Sequence, residues 1–353
     1  MKKIYQITCT LSIVVLLMLF NGQVYGQLII NEVHADPEGT ILGDANGDGV
    51  RDANNDEFLE FVNTGATALD ISGWQIFDTN STLLLRHTFP ASTIVPPGKS
   101  IVVFGGGTPT GTFGNAIVQV ASTGGLGLTN TSETIIVEDD LAVQMISLTW
   151  GAEANGDQSI ARDPDITGTD SPMVQHSTIA TAGGSLYSPG TKSDGSQFGL
   201  IVHEIHADPA SDISGDANGD GVRSASDDEF IELVNNGAAD LDISGWKIFD
   251  SNSSVIERHV FPASTIVPAG KAIVVFGGGT PTGTFGGSIV QVASTGALAL
   301  TNTSETVIIE DNAGNQVISF TYGSEADNNQ SITRDPDITG TDTPLVAHSS
   351  ASG

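Results

Sequence analysis

The sequence predicts an all-β protein built from two tandem β-sandwiches. Its apolar residues fall in short runs bounded by Gly, Pro, Asn and Asp, among them EFLEFVN, GWQIFD, KSIVVFG and ETIIVED, a pattern typical of strands separated by turns. The 42 glycines disfavour long helices, because glycine is a poor helix former. The chain also repeats itself once, and each copy carries the seven or more runs expected of a sandwich.

The two copies are related by a constant offset of 172 residues, the separation of Gly43 and Gly215 in the repeated nonapeptide GDANGDGVR. The same offset carries Trp74 to Trp246 with no insertion or deletion. The copies agree at about two thirds of their positions, which is repetition of a whole domain rather than of a short solenoid unit. We therefore expect one domain at residues 27–198 and a second at residues 199–353, each long enough to form its own core.

Residues 1–26 have the features of a secretory signal peptide. Lys2 and Lys3 precede an apolar run over residues 7–20, and a cleavage site is expected before Gln27. A membrane anchor is the alternative, but the run is shorter than the roughly 20 residues that span a bilayer. Cys9, the only cysteine, lies inside this run, so the mature chain is expected to have neither disulfides nor thiol chemistry. These features predict a secreted or cell-surface protein with no membrane span after processing.

The charge of the chain limits the classes of partner that it can bind. The formal net charge is −30 at pH 7, with 42 acidic and 12 basic residues. Nucleic-acid binding needs Lys and Arg placed against phosphates, and the sequence has no basic patch, so no nucleic-acid partner is expected. An acidic chain without thiols suits solubility outside the cell and divalent cations as counter-charges. We expect the partner to be an extracellular protein or a glycan.

Several segments together resemble the lamin-tail domain of bacterial secreted proteins. The first copy has INEVHADP, DEFLEFVN, LDISGWQIFD, PPGK and LYSPG in that order, and the second has VHEIHADP, DEFIELVN, LDISGWKIFD and PAGK. The resemblance covers essentially the whole mature chain. It implies an immunoglobulin-like β-sandwich in each copy and a non-catalytic module, of the kind appended to exported enzymes or surface proteins. It does not fix the ligand.

The segment LYSPG, residues 186–190, resembles the closing strand of the first domain. With the offset of 172, the second copy ends at the equivalent of Thr181. The second sandwich is therefore expected to lack its last strand, which would leave an unpaired edge of the kind that folded proteins avoid. We favour a chain that is a fragment, and the alternative is that another chain completes the sheet.

The repeated nonapeptide has the ligand spacing of a calcium loop. Taking Asp44 as position 1 places Asn46, Asp48 and Gly49 at positions 3, 5 and 6 and the carbonyl of Val50 at position 7, as in loops that surround a hard cation. The predicted ligand positions of the first copy are completed by Asp52, Asn55 and Asp56, and those of the second copy are Asp216, Asn218, Asp220, Val222, Ser224, Asp227 and Asp228. The first copy has aspartates at positions 1, 5 and 9, and the second has them at positions 1, 5 and 12. Each loop therefore keeps three aspartates.

These loops differ from an EF-hand, since neither has glutamate at position 12 and no helices flank them. They resemble dockerin loops inserted between the first two strands of a sandwich, with Asp56 or Asp228 as a substitute ligand. A solvated acidic turn is the alternative, because Asp, Asn and Gly favour turns without a metal. Five matching positions in both copies favour structural Ca²⁺, and Mg²⁺ is less suited to such a flexible all-protein cage.

A second pattern of polar residues is weaker evidence for a functional site. Glu32, His34 and Asp36 alternate along a predicted strand, as do their counterparts in the second copy, so all three would share one face. A metal or general-base site could be built from them, but alternation alone produces the same pattern. We expect an exposed strand face, opposite Ile29 and Val33.

No catalytic motif is recognisable. The sequence lacks G-x-S-x-G and H-E-x-x-H, and His203 and His206, three apart, would point to opposite faces of a strand. We therefore expect no enzyme. Two functions fit: a secreted structural or adhesive binding module stabilised by calcium, and the accessory region of a larger exported hydrolase or nuclease. Carbohydrate stacking would depend on the few mature aromatic residues available, which are Trp150, Tyr187 and Tyr322.

Overall fold

A computed structural model describes residues 27–79, 82–251, 254–340 and 344–351. The predicted signal peptide lies outside these residues. Throughout the described chain the regular structure consists of β-strands and single-turn 3₁₀ helices. No described helix is long and apolar enough to cross a bilayer.

The described part of each copy contains twelve strands. In the first copy they are β1 Leu28–His34, β2 Phe58–Asn63, β3 Leu69–Asp70, β4 Gln75–Asp78, β5 Leu84–Thr88, β6 Ile94–Val95, β7 Ser100–Phe104, β8 Ile117–Val120, β9 Glu133–Glu138, β10 Gln144–Trp150, β11 Ile160–Ala161 and β12 Val174–Gln175. In the second copy they are β13 Leu200–His206, β14 Phe230–Asn235, β15 Leu241–Asp242, β16 Lys247–Ser251, β17 Val255–Val260, β18 Ile266–Val267, β19 Ala272–Phe276, β20 Ile289–Val292, β21 Glu305–Glu310, β22 Gln316–Tyr322, β23 Ile332–Thr333 and β24 Val346–Ala347.

Short 3₁₀ helices punctuate the loops. They are Ile41–Gly43, Phe113–Asn115, Ala152–Ala154, His176–Thr178 and Ala180–Ala182 in the first copy, and Ile213–Gly215, Phe285–Gly287, Ser324–Ala326 and His348–Ser350 in the second.

Each copy is a sandwich of a six-stranded and a four-stranded sheet. The sheets of the first copy have the orders β12-β11-β1-β2-β7-β8 and β10-β9-β4-β5, and the second copy repeats them as β24-β23-β13-β14-β19-β20 and β22-β21-β16-β17. Neighbouring strands are antiparallel except for the parallel edge pairs β7/β8 and β19/β20. The predicted tandem, immunoglobulin-like all-β architecture is confirmed.

The core of each sandwich lies between its two sheets. Inward residues of strands β1 and β2, such as Ile30, Val33 and Phe61, are almost fully buried together with Trp74. Burial of side chains of this size stabilises a domain by roughly 1.5–3 kcal/mol each before the entropy of ordering is subtracted. The second copy repeats this core, with Trp246 in the place of Trp74. The tryptophan of each GW pair therefore packs in the core, directly before strand β4 or β16.

The prediction that the second sandwich lacks its last strand was wrong. Both large sheets contain six strands in the same order within the described residues, and β24 is the counterpart of β12. LYSPG is not a strand at all: residues 186–190 form bends and a turn. Ser188 and Gly190 instead donate backbone N–H groups to two buried carboxylates, Glu32 and Glu60. Pro and Gly account for the difference, since neither favours the interior of a strand.

Lys99 joins the two copies. Its ammonium donates hydrogen bonds to the carbonyl oxygens of Phe198, at 3.1 Å, and Leu200, at 2.9 Å, so the first copy is attached to the start of the second. The side chain is buried, and this burial lowers the pKa of Lys99 to about 7. Its counterpart Lys271 is exposed.

Substitution of Lys99 by methionine should loosen the junction between the copies. The variant leaves two buried carbonyl groups without their donor, which costs about 1–3 kcal/mol. We expect faster proteolysis within residues 191–199 and separate melting of the two domains in calorimetry. Lys271→Met is the matched control, because that lysine is exposed, and equal proteolysis of both variants would refute the role of Lys99.

Candidate functional site

The predicted metal loops connect the first two strands of each sandwich. In the first copy the loop follows the 3₁₀ helix Ile41–Gly43, and Asp44 is the residue that ends this helix. Gly47 and Gly49 have φ of 68° and 86°, the left-handed conformation that glycine adopts most easily. The alternation of Asp, Asn and Gly therefore produces a tight loop in which the side chains at positions 1, 3 and 5 fold back on the backbone.

Each of these three side chains accepts a hydrogen bond from a later backbone N–H. Asp44 Oδ2 accepts from Gly49 at 2.9 Å, Asn46 Oδ1 accepts from Asp48 at 3.0 Å, and Asp48 Oδ1 accepts from Val50 at 2.9 Å. The other carboxylate oxygen of Asp44 is buried and has no hydrogen-bond partner among the described residues. A buried carboxylate oxygen without a partner is costly, so this atom is a candidate ligand for a cation.

The second loop repeats this geometry. Asp216 Oδ2 accepts from Gly221 at 2.9 Å, Asn218 Oδ1 accepts from Asp220 at 3.0 Å, and Asp220 Oδ1 accepts from Val222 at 2.8 Å. Asp216 Oδ1 is likewise buried without a partner in the described chain.

The later predicted ligands mainly hold the loop closed. Asp56 is fully buried, and its two oxygens accept from the N–H groups of Asn46, at 3.2 Å, and Asp52, at 2.7 Å. Burial raises the pKa of Asp56, and the charges of Asp44 and Asp48 add to the effect. Asp52 Oδ1 accepts from the N–H of Asn55, which lowers the pKa of Asp52.

The equivalent residues of the second copy have the same closing role. Asp228 accepts from the N–H groups of Asn218, at 3.1 Å, and Ser224, at 2.7 Å. Asp227 donates its N–H to the Ser224 hydroxyl at 3.1 Å. The side chains of Val50 and Val222 are exposed, so these residues can offer a cation only their carbonyl groups.

A glycine-rich segment, residues 105–110, packs against the first loop and forms hydrogen bonds with it. The sequence of this segment predicts only a turn. Thr108 donates its N–H to Asp48 Oδ2 at 3.1 Å, and Asn46 Nδ2 donates to the Gly106 carbonyl at 3.2 Å. A Cβ on Gly107 would lie 2.4 Å from Asn46 Nδ2, so only glycine permits this approach. The sequence signal that could have indicated this contact is the segment GGGTPTG, which occurs in both copies at the same offset.

Glu32 and His34 do not lie on an exposed face, so that prediction was wrong. Both are fully buried, and Glu32 is directly opposite Glu60 across strands β1 and β2. Burial raises the pKa of Glu32, and burial together with the neighbouring Glu32 raises the pKa of Glu60 well above its usual value. Residues 187–190 cover the pair, and the Tyr187 ring lies 5.2 Å from that of His34.

The corresponding surface of the second copy contains a compact cluster that the sequence pattern did not reveal. His203, Glu204 and Glu232 form the one trio of His, Asp or Glu side chains in the described chain whose ligand atoms lie within 4.8 Å of one another. A register shift between Val202 and Glu204 allows residues 203 and 204 to reach the same side. Hydrogen bonds to Glu232 and Asp337 outweigh the opposing effect of burial and raise the pKa of His203.

Comparisons with known proteins identify the family. The model of the Lamin Tail Domain matches residues 21–152 and 196–324, one region in each sandwich. No curated protein is significantly similar to the chain.

Similar solved structures are far more distant. They include exo-chitosanase CsxA from Amycolatopsis orientalis, as a variant with PNP-β-D-glucosamine (12% identity, 77% of this chain, 26% of that chain, TM-score 0.17). Another is the exo-β-D-glucosaminidase CsxA with two inhibitors (11%, 77%, 26%, TM-score 0.17). The chain thus spans about a quarter of these enzymes, and TM-scores this low support no inference about function.

The two matched regions and the repeated sandwich lead to one conclusion: the chain belongs to the lamin-tail-domain family, of which it contains two tandem copies.

Proposed function

We propose that the protein is an exported, non-catalytic structural or adhesive module whose two domains are each stabilised by a Ca²⁺ ion. The lamin-tail domain is a non-catalytic domain type, so a binding or structural role is the first expectation. Export rests on the signal-like features of residues 1–26. The calcium proposal rests on the two loops.

The observation that carries the calcium proposal is the partnerless buried oxygen of Asp44, which recurs at Asp216. The loop already satisfies the opposite oxygen of each carboxylate through the N–H at position 6. Such an arrangement orients the remaining oxygen for a hard cation while the backbone bond fixes the side chain. The same arrangement recurs in the second domain, although the two loops differ at positions 9 and 12.

The donor set suits calcium. Asp44, Asn46, Asp48 and the carbonyl of Val50 supply oxygen ligands at the spacing of a calcium loop, and Asp56 can contribute only in addition to its two backbone contacts. The loop aspartates are more widely spread than the trio around His203, so calcium should draw them together. The ion would offset their mutual repulsion.

Removal of calcium is therefore expected to lower the melting temperature. A ligand present at about 100 times its dissociation constant stabilises a folded domain by about 2.7 kcal/mol, which corresponds to a shift of roughly 5–10 °C for domains of this size. Differential scanning fluorimetry in a chelator, with and without excess calcium, measures the shift.

Asp44→Ala combined with Asp216→Ala should abolish the calcium response, whereas Asp70→Ala combined with Asp242→Ala should retain it. Asp70 and Asp242 are exposed residues outside the loops, so they control for loss of negative charge. Identical melting of the unmodified protein in chelator and in calcium would exclude calcium-dependent stability.

A protein is a better candidate partner than a glycan. Trp150 and Tyr322, two of the three aromatic residues available for sugar stacking, are buried, and their polar atoms bond the carbonyls of Thr129 and Thr301. Tyr187 donates its hydroxyl to the carbonyl of Leu42 at 2.9 Å. These contacts leave none of the three as a freely exposed platform of the kind that stacks on sugars.

A further inference from the structure

A cleft of about 470 Å³ lies between the two domains. All of its lining residues lie between Ile94 and Phe320, so its walls belong to the two sandwiches and to the segment that joins them. The first domain contributes Ile94, Pro96 and part of the segment 111–117, and the second contributes residues 200–202 and 316–320. Clefts of roughly 300–1,000 Å³ between domains are common binding sites.

Strand β22 contributes its edge, rather than a face, to the wall of this cleft. Five consecutive residues, Gln316 to Phe320, line the cleft, whereas successive side chains of a strand point to opposite faces of its sheet. Only the edge of the strand can present all of them to the same space. Among the described residues β22 is the outer strand of its sheet and pairs only with β21. The backbone N–H and C=O groups along its other side therefore have no strand partner.

Strand β13, which also lines the cleft, is closed by side chains. Its residues 200–202 pair with β14 but lie before Glu204, where β23 joins the sheet. Lys99 donates to the Leu200 carbonyl at 2.9 Å, and Arg334 Nε donates to the Val202 carbonyl at 2.7 Å. These two cations occupy the carbonyl groups that a partner strand would use. Of the two strands that the second domain contributes, β22 is the one whose edge remains open.

The first domain shields the apolar side chains of β22 without closing its edge. Val317 and Ile318 are each 9% exposed, whereas their counterparts Met145 and Ile146, on the outer strand β10 of the first domain, are only half-buried. Ser319 of the same strand is still exposed. The cleft therefore combines an accessible strand edge with an apolar wall, which the edge of β10 does not have.

We propose that the cleft binds an extended, positively charged peptide segment of another protein, which adds a strand to the edge of β22. An open strand edge binds polypeptide through main-chain hydrogen bonds. The side chains of Ile94, Pro96 and Ile117 line the opposite wall, which suits β-branched side chains on the peptide. A basic segment complements the net charge of −30 and Glu310, which lies directly opposite Gln316 at one end of β22.

This proposal rests on the binding-module part of the proposed function and does not depend on calcium. Each binding measurement is therefore made both in chelator and in excess calcium, and we expect the same affinity in both. Loss of the calcium-dependent melting shift would then leave the peptide result unaffected, and loss of peptide binding would leave the calcium result unaffected.

Fluorescence polarisation with the labelled probe heptapeptide Lys-Thr-Val-Thr-Val-Thr-Lys tests the proposal on the intact protein. We expect saturable binding with a dissociation constant on the order of 100 µM, because a short flexible peptide loses much conformational freedom. The same peptide with N-methyl groups on its five central residues keeps its charge and side chains but loses their main-chain donors. It should bind at least tenfold more weakly, as should a peptide with glutamate in place of both lysines.

Thr112→Arg places a bulky cation in the cleft and should weaken binding of the basic probe at least tenfold. Thr112 lines the cleft, is exposed and makes no side-chain cap bond to the 3₁₀ helix that follows it, so the fold should tolerate the change. Thr284→Arg is the matched control, because Thr284 is the exposed counterpart in the second domain and does not line the cleft. Equal weakening by both variants would indicate a general charge effect and refute binding in the cleft.

Amide hydrogen exchange shows where the probe binds. Saturating peptide should slow exchange within residues 316–320 and leave residues 144–148 of β10 unchanged. Equal slowing in both strands would mean edge pairing without a role for the cleft, and unchanged exchange at residues 316–320 would place the peptide elsewhere. Either result would overturn the proposal, as would absence of saturable binding or equal binding of the methylated and unmethylated peptides.

Discussion

The Glu57→Gln, Glu229→Gln double variant is expected to keep its stability at pH 9, where the unmodified protein becomes much less stable. Both glutamates are almost completely buried, and burial raises the pKa of each from 4.5 to about 8. Each accepts a backbone N–H, from Leu128 or Leu300, at 3.2 Å. Glutamine preserves an acceptor for this bond but has no charge to bury.

The direction of the pH effect follows from the raised pKa. Between pH 4.5 and about 8 the folded state holds a proton that the unfolded state releases, so the free energy of unfolding falls as the pH rises through this window. One pKa unit corresponds to about 1.4 kcal/mol, which gives an upper limit of roughly 4–5 kcal/mol for each domain. Local relaxation and entry of water reduce this value.

Melting curves from pH 5 to pH 9.5 measure the effect. The two proteins should have similar stability at pH 5, and the variant should gain relative to the unmodified protein as the pH rises. Glu257→Gln is the matched control, because Glu257 is a partly exposed member of a surface ion pair with Lys247 and such pairs contribute little. Parallel pH profiles for the unmodified protein and the double variant would show that Glu57 and Glu229 are ionised in the folded state.

Gly190→Ala is expected to destabilise the first domain by about 3 kcal/mol or more. A non-glycine residue in the left-handed region costs roughly 1–2 kcal/mol, and the new Cβ would lie 2.0 Å from the Phe113 carbonyl oxygen, which adds a steric cost of about 1–3 kcal/mol. Displacement of the segment would also remove the N–H donor of Glu60. Denaturant unfolding followed by calorimetry measures the loss and assigns it to one domain.

Gly195→Ala provides the control for backbone conformation alone. Gly195 has a φ of 81°, almost the same as Gly190, but an added Cβ there meets nothing within 4 Å. We expect a loss of only about 1 kcal/mol from this variant. Equal losses from the two substitutions would mean that the contact with Phe113 and the bond to Glu60 do not stabilise the domain.

Local sequence predicted much of the fold because its signals act over short distances. The alternating runs in EFLEFVN and GWQIFD contain strands β2 and β4, as predicted. The second copy repeats the same pattern without insertion or deletion and so supports the same prediction. The conformation of the predicted metal loops follows from local sequence as well, since their glycines and short polar side chains set the turns within a few residues.

Long-range contacts account for what the sequence did not reveal. Glu32 is polar in a strand and was expected to face solvent, but Ser188, 156 residues away, supplies its donors. Lys99 follows two prolines and a glycine, a context typical of turns, and its buried partners Phe198 and Leu200 are far away in sequence. The adjacency of His203 and Glu204 on one side depends on a register shift that alternation alone does not predict. For Glu32 and Lys99, the contact that the sequence did not reveal is with a partner distant in sequence.

The number of calcium ions bound per chain tests the central proposal most directly. Isothermal titration of the chelator-stripped protein is expected to give two ions per chain, one for each loop. Asp44→Ala and Asp216→Ala should each reduce the number to one, and the double variant should bind none. Titration of the unmodified protein without saturable calcium binding, or two ions still bound by the double variant, would contradict the assignment of calcium to these loops.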